Sequence, residues 1–249
     1  MLKHRVIPLL QMLDSSIVKT VGFSSPRIVG DAMSTVKVFT LRVADELILI
    51  DILATQKGER PQIEFIAEIA KHCFMPLTIG GGIKSLDEAS QIFDSGSDKV
   101  AFGSLFHENP IRIEKIANRY GQQAIVATID CIMHEGSYRT FHCSGSIPSL
   151  SLTAAIERAN NIGVGEIVLT SIDRDGKMVG YELDLIQEAS SLSQMPIVCN
   201  GGAGTSAHIL EALSCGASAV AASSIFLWEG STIHEIKRDL DSAGIPVRL

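Results

Sequence analysis

Short apolar runs alternate along the chain with stretches whose apolar residues recur at helical spacing. The apolar runs are rich in β-branched residues, which is typical of strands that are buried on both faces of a parallel sheet. The predicted strands are Val6–Leu10, Leu47–Ile50, Pro76–Ile79, Lys99–Phe102, Ile125–Ile129, Ile167–Thr170, Pro196–Cys199 and Ala219–Ala222.

Amphipathic stretches between these strands predict helices, for example over Pro61–His72, Ser85–Ser95, Pro110–Tyr120 and Thr205–Ser214. Ser85 and Glu88 have the spacing of a capping box, and Pro61 and Pro110 suit a first helical position. Eight predicted strands, with helices between them, in a chain of 249 residues predict an α/β fold. The expected architecture is a single (β/α)₈ TIM barrel over residues 1–249. A doubly wound open sheet is the alternative.

An internal repeat favours the barrel. Pro76–Phe106 aligns without gaps on Pro196–Phe226, and Ile125–Asp130 aligns with the first strand at nearly the same offset. The sequence therefore predicts two similar half-barrels. One insertion, Gly136–Gly145, alternates in polarity between small turn residues and predicts a short hairpin in the fifth βα loop.

Composition excludes several classes of function. The net charge is -7 and no run of Lys and Arg stands out, so we expect no nucleic-acid partner. No stretch approaches the length of a membrane span, and the N-terminus lacks a signal-peptide cleavage site. The odd number of cysteines and the absence of CxxC, HxH and HExxH spacing predict a reduced, cytoplasmic protein with no metal and no cofactor.

Each half carries a glycine-rich strand end and, after the next strand, a turn that contains serine. Glycine lets backbone N–H groups approach an anion, and a serine hydroxyl adds a donor. Two copies at matching places predict a phosphorylated small-molecule substrate with a phosphate at each end, although tight βα turns alone would also require the glycines. The candidate binding residues are Gly81, Gly82, Gly103, Ser104, Gly201, Gly202, Ser223 and Ser224.

Several segments carry a resemblance to a known family. They are RVIPLL, ADELILID, PLTIGGGIKS, SDKVAFGS, IVATID, GEIVLTSIDRDGKMVGYEL, GGAG and GIPVR. Over nearly its whole length the chain resembles the cyclase subunit of imidazole glycerol phosphate synthase, the HisF family. The resemblance implies a barrel that forms a heterodimer with a glutaminase subunit. It also implies that ammonia passes along the barrel axis and reacts with a bisphosphorylated aminoimidazole carboxamide ribonucleotide, which yields imidazole glycerol phosphate and the aminoimidazole carboxamide ribotide.

The resemblance also assigns residues at the bottom of the barrel. The family's ammonia gate of Arg, Glu, Lys and Glu matches Arg5, Glu46, Lys99 and Glu166, and Asp98 matches a position that faces the glutaminase. Two positive and two negative charges at strand N-termini would also satisfy one another in a purely structural ring that closes the barrel.

The catalytic end departs from the family. Two aspartates at the ends of strands one and five act there as general acid and base, and here strand five keeps Asp130 whereas strand one ends in Gln11. An amide cannot cycle a proton at neutral pH, although it still forms hydrogen bonds. The nearby loop residue Asp14 is an alternative to Gln11.

Neighbouring positions add to this picture. Lys19 is retained, whereas Gly103 replaces an Asn and Asn200 replaces a Ser. Asp51 and Asp175 are expected to face the substrate, with an Asx-type turn as the alternative for Asp175.

Three functions remain open. The chain is a cyclase of histidine biosynthesis that tolerates Gln11, or a divergent paralogue that directs ammonia to amidation of a sugar for a surface polysaccharide. The third hypothesis is a non-catalytic barrel that activates the glutaminase. The intact gate fits all three, and the loss of a titratable group at Gln11 favours the second.

Overall fold

Parallel strand pairing closes the sheet into a barrel in the structure, a computed structural model that describes residues 3–42, 44–142, 150–228 and 230–249. The strands are β1 (Arg5–Leu13), β2 (Ser16–Lys19), β3 (Arg27–Asp31), β4 (Leu47–Asp51), β5 (Leu77–Gly80), β6 (Lys99–Phe102), β7 (Ile125–His134), β8 (Ser137–Thr140), β9 (Glu166–Ser171), β10 (Ile197–Asn200) and β11 (Ala219–Ala222). The barrel order is β1, β4, β5, β6, β7, β9, β10 and β11, and β11 pairs with β1 from Arg5 opposite Ala219 to Pro8 opposite Ala222. The predicted TIM barrel is confirmed.

Helices follow the barrel strands. They are α1 (Ala32–Leu41), α2 (Ala54–Lys57), α3 (Ile63–Ala70), α4 (Leu86–Asp94), α5 (Ser104–Glu108), α6 (Pro110–Tyr120), α7 (Leu152–Ile162), α8 (Leu183–Leu192), α9 (Ser206–Ser214), α10 (Ser224–Leu227) and α11 (Ile233–Ser242), with a 3₁₀ turn at Gln122–Ala124. Within the described ranges, no helix combines the length and the apolar character needed to cross a bilayer.

Local sequence signals account for most helix starts. The Ser85 hydroxyl accepts a hydrogen bond from Glu88 N, and Pro110 is the first residue of α6, as predicted. The capping box is incomplete, because the Glu88 carboxylate accepts from Lys84 N instead of Ser85 N. The prediction for Pro61 is wrong: α3 begins at Ile63, after a backbone turn between Ile63 N and Pro61 O.

Two antiparallel hairpins extend from the C-terminal mouth. The predicted hairpin in the fifth βα loop is confirmed as β7–β8, although its last residues, 143–145, lie outside the described part of the chain. The hairpin β1–β2, to which β3 adds a third strand, was missed, because Asp14 was expected to lie in a loop. Both hairpins continue barrel strands, so they form walls around the same mouth.

Apolar side chains fill both sides of the barrel wall. Between strands and helices lies the large core, with Phe39, Phe102 and Phe106 among its most deeply buried members. A smaller set of apolar side chains fills the interior of the barrel: Ile7, Leu9, Ile48, Ala101, Val126, Val168, Val198, Ala219 and Ala221. This alternation along each strand is the one that a closed barrel requires.

A buried ion pair joins the last helix to the barrel. Lys237 Nζ lies 2.8 Å from Asp45 Oδ1, and Asp45 Oδ2 accepts a hydrogen bond of 2.9 Å from Val6 N. Both side chains are at most 5% exposed. The Asp45 carboxylate thus connects α11, β1 and the start of β4.

Removing the cation of this pair should destabilise the fold. Lys237→Met leaves the Asp45 carboxylate buried without its counter-ion, and we expect the free energy of unfolding to fall by about 3–5 kcal/mol. Urea denaturation measures the change. The matched control Lys37→Met, on the exposed face of α1, should stay within about 0.5 kcal/mol of the parent. Equal losses in both variants would contradict the assignment.

Candidate functional site

Four charged side chains form a closed ring at the N-terminal mouth of the barrel. Arg5 Nη1 and Nη2 lie 2.6 and 2.9 Å from Glu46 Oε1 and Glu166 Oε2, respectively. Lys99 Nζ lies 2.9 Å from Glu46 Oε2 and 2.7 Å from Glu166 Oε1. Each carboxylate therefore bridges both cations, and the four predicted gate residues are brought together.

The ring is only partly accessible to water. The Glu166 side chain is 6% exposed, and burial alone would raise its pKa, but Arg5 and Lys99 together hold the pKa below its ordinary value. Beyond the ring, the axial side chains of the barrel are apolar, with small residues such as Ala101, Ala219 and Ala221 among them.

An aspartate directly precedes two of the ring residues and fixes a neighbouring strand. Asp45, before Glu46, accepts from Val6 N, and Asp98, before Lys99, accepts from Leu77 N at 2.8 Å. The predicted partner residue Asp98 is exposed on this end of the barrel, and its carboxylate also orders the start of β5.

A cavity of about 630 Å³ opens at the opposite, C-terminal mouth. It is large enough for a small phosphorylated metabolite. Its wall includes the strand-end residues Gln11, Asp51 and Asp130, and the first-half turn residues follow: Gly81, Gly82, Gly103 and Ser104. It extends down the axis to Leu9, Ala101 and Val168, on the side that faces the charged ring.

Asp130 projects from β7 into this cavity and is surrounded by protein on its other sides. Burial raises its pKa to about 6, and the nearby Asp175 charge adds to the rise, whereas a hydrogen bond from Thr170 opposes it. Asn200 Nδ2 in turn donates to Thr170 Oγ1 at 3.2 Å. The departure at Asn200 therefore lies in a hydrogen-bond chain that leads to Asp130.

Gln11, at the end of the first barrel strand, is held by its amide oxygen. Gln11 Oε1 accepts from both Thr20 N and Thr20 Oγ1 at 3.2 Å, and the backbone donor fixes which end of the amide is the oxygen. The amide nitrogen remains as a donor beside the cavity. Asp14 lies on the exposed β1–β2 turn, 4.0 Å from Lys57 Nζ, and does not line the cavity.

Asp175 and Asp51 have structural partners of their own. Asp175 Oδ2 lies 3.2 Å from Thr20 Oγ1, whose single proton it shares with Gln11 Oε1, and Oδ1 lies 3.7 Å from Lys19 Nζ. Both carboxylate oxygens of Asp175 thus have neighbours in the segment Lys19–Thr20. Asp51 lines the cavity while it accepts from Leu53 N and Ala54 N, and burial raises its pKa.

The second-half turn opens into a separate, narrow cleft. Gly201, Gly202, Ser223 and Ser224 line it together with Lys19 and Asp175, and Asn200 lines both this cleft and the large cavity. The cleft volume is about 10 Å³, the space of about one water molecule or one phosphoryl oxygen.

The glycines in both turns are also required by the chain itself. Gly81 and Gly202 have φ of +107° and +109°, and a Cβ would collide with the backbone oxygens of Asp51 and Gly180, respectively. Tight βα turns therefore explain these glycines without a ligand. The serines and Lys19 carry the remaining argument for an anion.

Two histidines of the cavity wall were not foreseen. The rings of His107 and His142 lie 5.3 Å apart, and burial, with smaller effects from His142 and Arg158, lowers the pKa of His107 to about 4. His107 lies in α5 and His142 follows β8, so neither spacing nor a shared motif could have predicted that they would meet.

Comparison with known proteins gives a consistent result. A family model described as histidine biosynthesis protein matches residues 5–232. The chain is similar to imidazole glycerol phosphate synthase subunit HisF of Dictyoglomus thermophilum, with 37% identity over 252 residues and 100% of each chain covered. The corresponding subunits of Chlorobium limicola and Exiguobacterium sibiricum are each 36% identical, again with 100% of each chain covered.

The raised pKa of Asp130 predicts a pH-dependent stability. The folded protein retains this proton up to pH about 6, whereas the unfolded chain releases it near 3.8. Stability from this group is fully present below pH 3.8 and is lost as pH rises through about 6. Relative to Asp130→Asn, the parent should lose on the order of 3 kcal/mol of unfolding free energy between pH 3.5 and 7.

Urea denaturation at several pH values measures this difference. The exposed variant Asp94→Asn is the control and should follow the parent at every pH. A parent curve that runs parallel to the Asp130→Asn curve across this range would contradict the raised pKa.

Proposed function

The chain belongs to the histidine biosynthesis family, among the imidazole glycerol phosphate synthase subunits HisF, and on that premise we propose that it is an ammonia-using synthase subunit. In this proposal, a glutaminase subunit docks at the N-terminal mouth and releases ammonia there. The ammonia passes through the ring of Arg5, Glu46, Lys99 and Glu166 and reacts with a phosphorylated substrate at the C-terminal mouth. The closed ring at one end of an apolar axis is the observation that carries the proposal.

The physical chemistry of the axis suits a neutral, small molecule. Neutral ammonia crosses apolar surroundings at a much lower free-energy cost than the ammonium cation, because burial of an unpaired charge is strongly unfavourable. The ring satisfies its own four charges, so it closes the mouth without leaving an unpaired group. A shift of one side chain, for example Lys99, is the simplest way to open it.

At the C-terminal mouth, Asp130 is the proposed general acid and base. A carboxyl group with a pKa of about 6 has both protonation states populated near neutral pH, which is the condition for proton transfer in both directions. Gln11 binds the substrate through its amide nitrogen. We propose that the two serine-containing turns and Lys19 hold the ends of the substrate, with Asp175 keeping Lys19 in place.

A divergent role is the second candidate, and the environment of Gln11 favours it. Thr20 N donates to Gln11 Oε1 and the Thr20 hydroxyl lies 3.2 Å from the same oxygen, so the end of β1 is arranged around an amide acceptor. A cyclase would need a second proton carrier, and Asp14 is too exposed to be one. Ammonia would then reach another acceptor, such as a sugar to be amidated for a surface polysaccharide. A non-catalytic barrel that only activates the glutaminase leaves the raised pKa of Asp130 without a use.

The ring predicts a specific loss of coupling. Lys99→Met leaves Glu46 and Glu166 without one of their two cations. The ring should then lose its closed, ordered arrangement, and ammonia should escape before it reaches the other end of the barrel. In the complex with the glutaminase subunit of the same organism, we expect glutamine-dependent product formation to fall roughly tenfold to a hundredfold, the scale of a small misplacement. Glutamine hydrolysis should continue, and added ammonium salt should restore product.

The control for this experiment is Lys115→Met, on the exposed side of α6. It should preserve the ratio of glutamine hydrolysed to product formed. Unchanged coupling in Lys99→Met would show that the ring is only a structural closure of the barrel.

Substitutions at the two strand ends separate the candidate functions. With ammonium salt and the bisphosphorylated ribonucleotide, Asp130→Asn should lower turnover by about 10²–10⁴-fold, because it removes the proton carrier. If the chain is a cyclase, Gln11→Asp should raise turnover. Turnover at background in both the parent and Gln11→Asp would exclude the cyclase. Where the parent turns over measurably, an unchanged rate in Asp130→Asn would exclude Asp130 as the acid and base.

A further inference from the structure

The two substrate-holding ends are related by the internal repeat but differ in chemistry. The repeat that matches Pro76 with Pro196 matches Gly82 with Gly202 and Ser104 with Ser224. At the adjoining position, however, the first half has Gly103 where the second half has Ser223. A hydroxyl donor is therefore present at one end and absent from the corresponding place at the other.

The second-half end is arranged for an anion. Ser223 is 6% exposed, and its Oγ has no hydrogen-bond partner among the described residues, although it lines the narrow cleft. Lys19, 8% exposed, lines the same cleft. An ammonium has three donors, so the contact with Asp175 leaves others for a ligand. A buried donor without a partner beside a buried cation favours an oxyanion in the cleft.

The hairpins β1–β2 and β7–β8 occupy equivalent places in the two halves, and they also differ in a side chain beside the substrate-holding turns. Val18 pairs with Gln11, and Lys19 follows it. In the other half, Phe141 N donates to the carbonyl oxygen of Asp130, the residue that the repeat matches with Gln11, and His142 follows. His142 therefore holds the place of Lys19, and it lines the large cavity beside the first-half turn.

Among the residues that the structure describes, no Lys or Arg takes the place of the missing lysine at the first-half end. His142 Nε2 lies 3.5 Å from Glu108 Oε1, and its neighbour His107 is neutral at pH 7. The described wall of the large cavity contains no Lys or Arg, whereas it contains the carboxylates of Asp51 and Asp130. A second phosphate at this end would face these negative charges without a fixed counter-charge.

We propose that the substrate is asymmetric: it carries a phosphate at the second-half end, on Lys19 and Ser223, and an uncharged, hydrogen-bond-donating group such as a hydroxyl at the first-half end, where Asp51 and Asp130 line the cavity. This inference deepens the proposed function, because it concerns the substrate of the same site. It narrows the expectation of a phosphate at both ends to one phosphate and one neutral end.

Titration with inorganic phosphate, followed by amide NMR shifts, tests the asymmetry without any turnover. Potassium chloride at matched ionic strength is the blank. We expect saturable shifts at Gly202, Ser223 and Ser224, and none at Gly82 and Gly103. Lys19→Met should weaken phosphate binding by about tenfold or more, whereas Ser104→Ala should leave it unchanged. Equal shifts at both ends, or Lys19→Met with parental affinity, would overturn the proposal.

A gain-of-function variant sharpens the test. His142→Lys supplies the lysine that the repeat lacks, and it should add saturable phosphate shifts at Gly82 and Gly103 while those at Gly202 persist. Shifts at both ends in the parent would refute the asymmetry but leave the proposed ammonia-using function intact. Shifts at neither end in any variant would refute the asymmetry and also the phosphorylated substrate. The glutaminase-coupling experiment with Lys99→Met is independent of both outcomes.

Discussion

The pairing of β11 with β1 is the constraint on which the rest of the structure depends. It closes the sheet, so alternate side chains of every barrel strand meet on one axis instead of facing a second layer. Residues far apart in the chain, such as Arg5 and Glu166, thereby come within 2.9 Å of each other. The axis acquires a charged end, an apolar middle and a polar end, and each has a different part in the proposed chemistry.

Neighbouring charges shift the pKa of the carboxyl groups at the two ends in opposite directions. Glu166 and Asp130 are both taken out of water, which by itself raises the pKa of an acid. Glu166 has Arg5 and Lys99 beside it, and its pKa is lowered. Asp130 has no such cation among the described residues and has Asp175 nearby, and its pKa rises to about 6. One group is therefore held as a permanent charge in a closure, and the other can exchange a proton.

The two half-barrels share a framework and differ in the side chains that line the mouth. Their glycine turns are fixed by backbone crowding, which would persist whatever the ligand. The side chains that contact the substrate can change at other positions of the repeat. Gln11 in one half is equivalent to Asp130 in the other, Gly103 to Ser223, and His142 to Lys19. A repeat of this kind allows one end of a substrate site to diverge while the barrel and the N-terminal ring stay intact.

The sequence by itself determined the barrel, since buried parallel strands read as short apolar runs and the repeat required two equal halves. Its resemblance to the HisF family also pointed to the four ring residues and both strand-end residues, each of which lies at or beside a predicted strand. Only the tertiary structure decided that Thr20 binds Gln11, that Asn200 reaches Asp130 through Thr170, and that His107 meets His142. These contacts join side chains of different strands, hairpins and helices, and their geometry depends on the closed barrel, which no local pattern encodes.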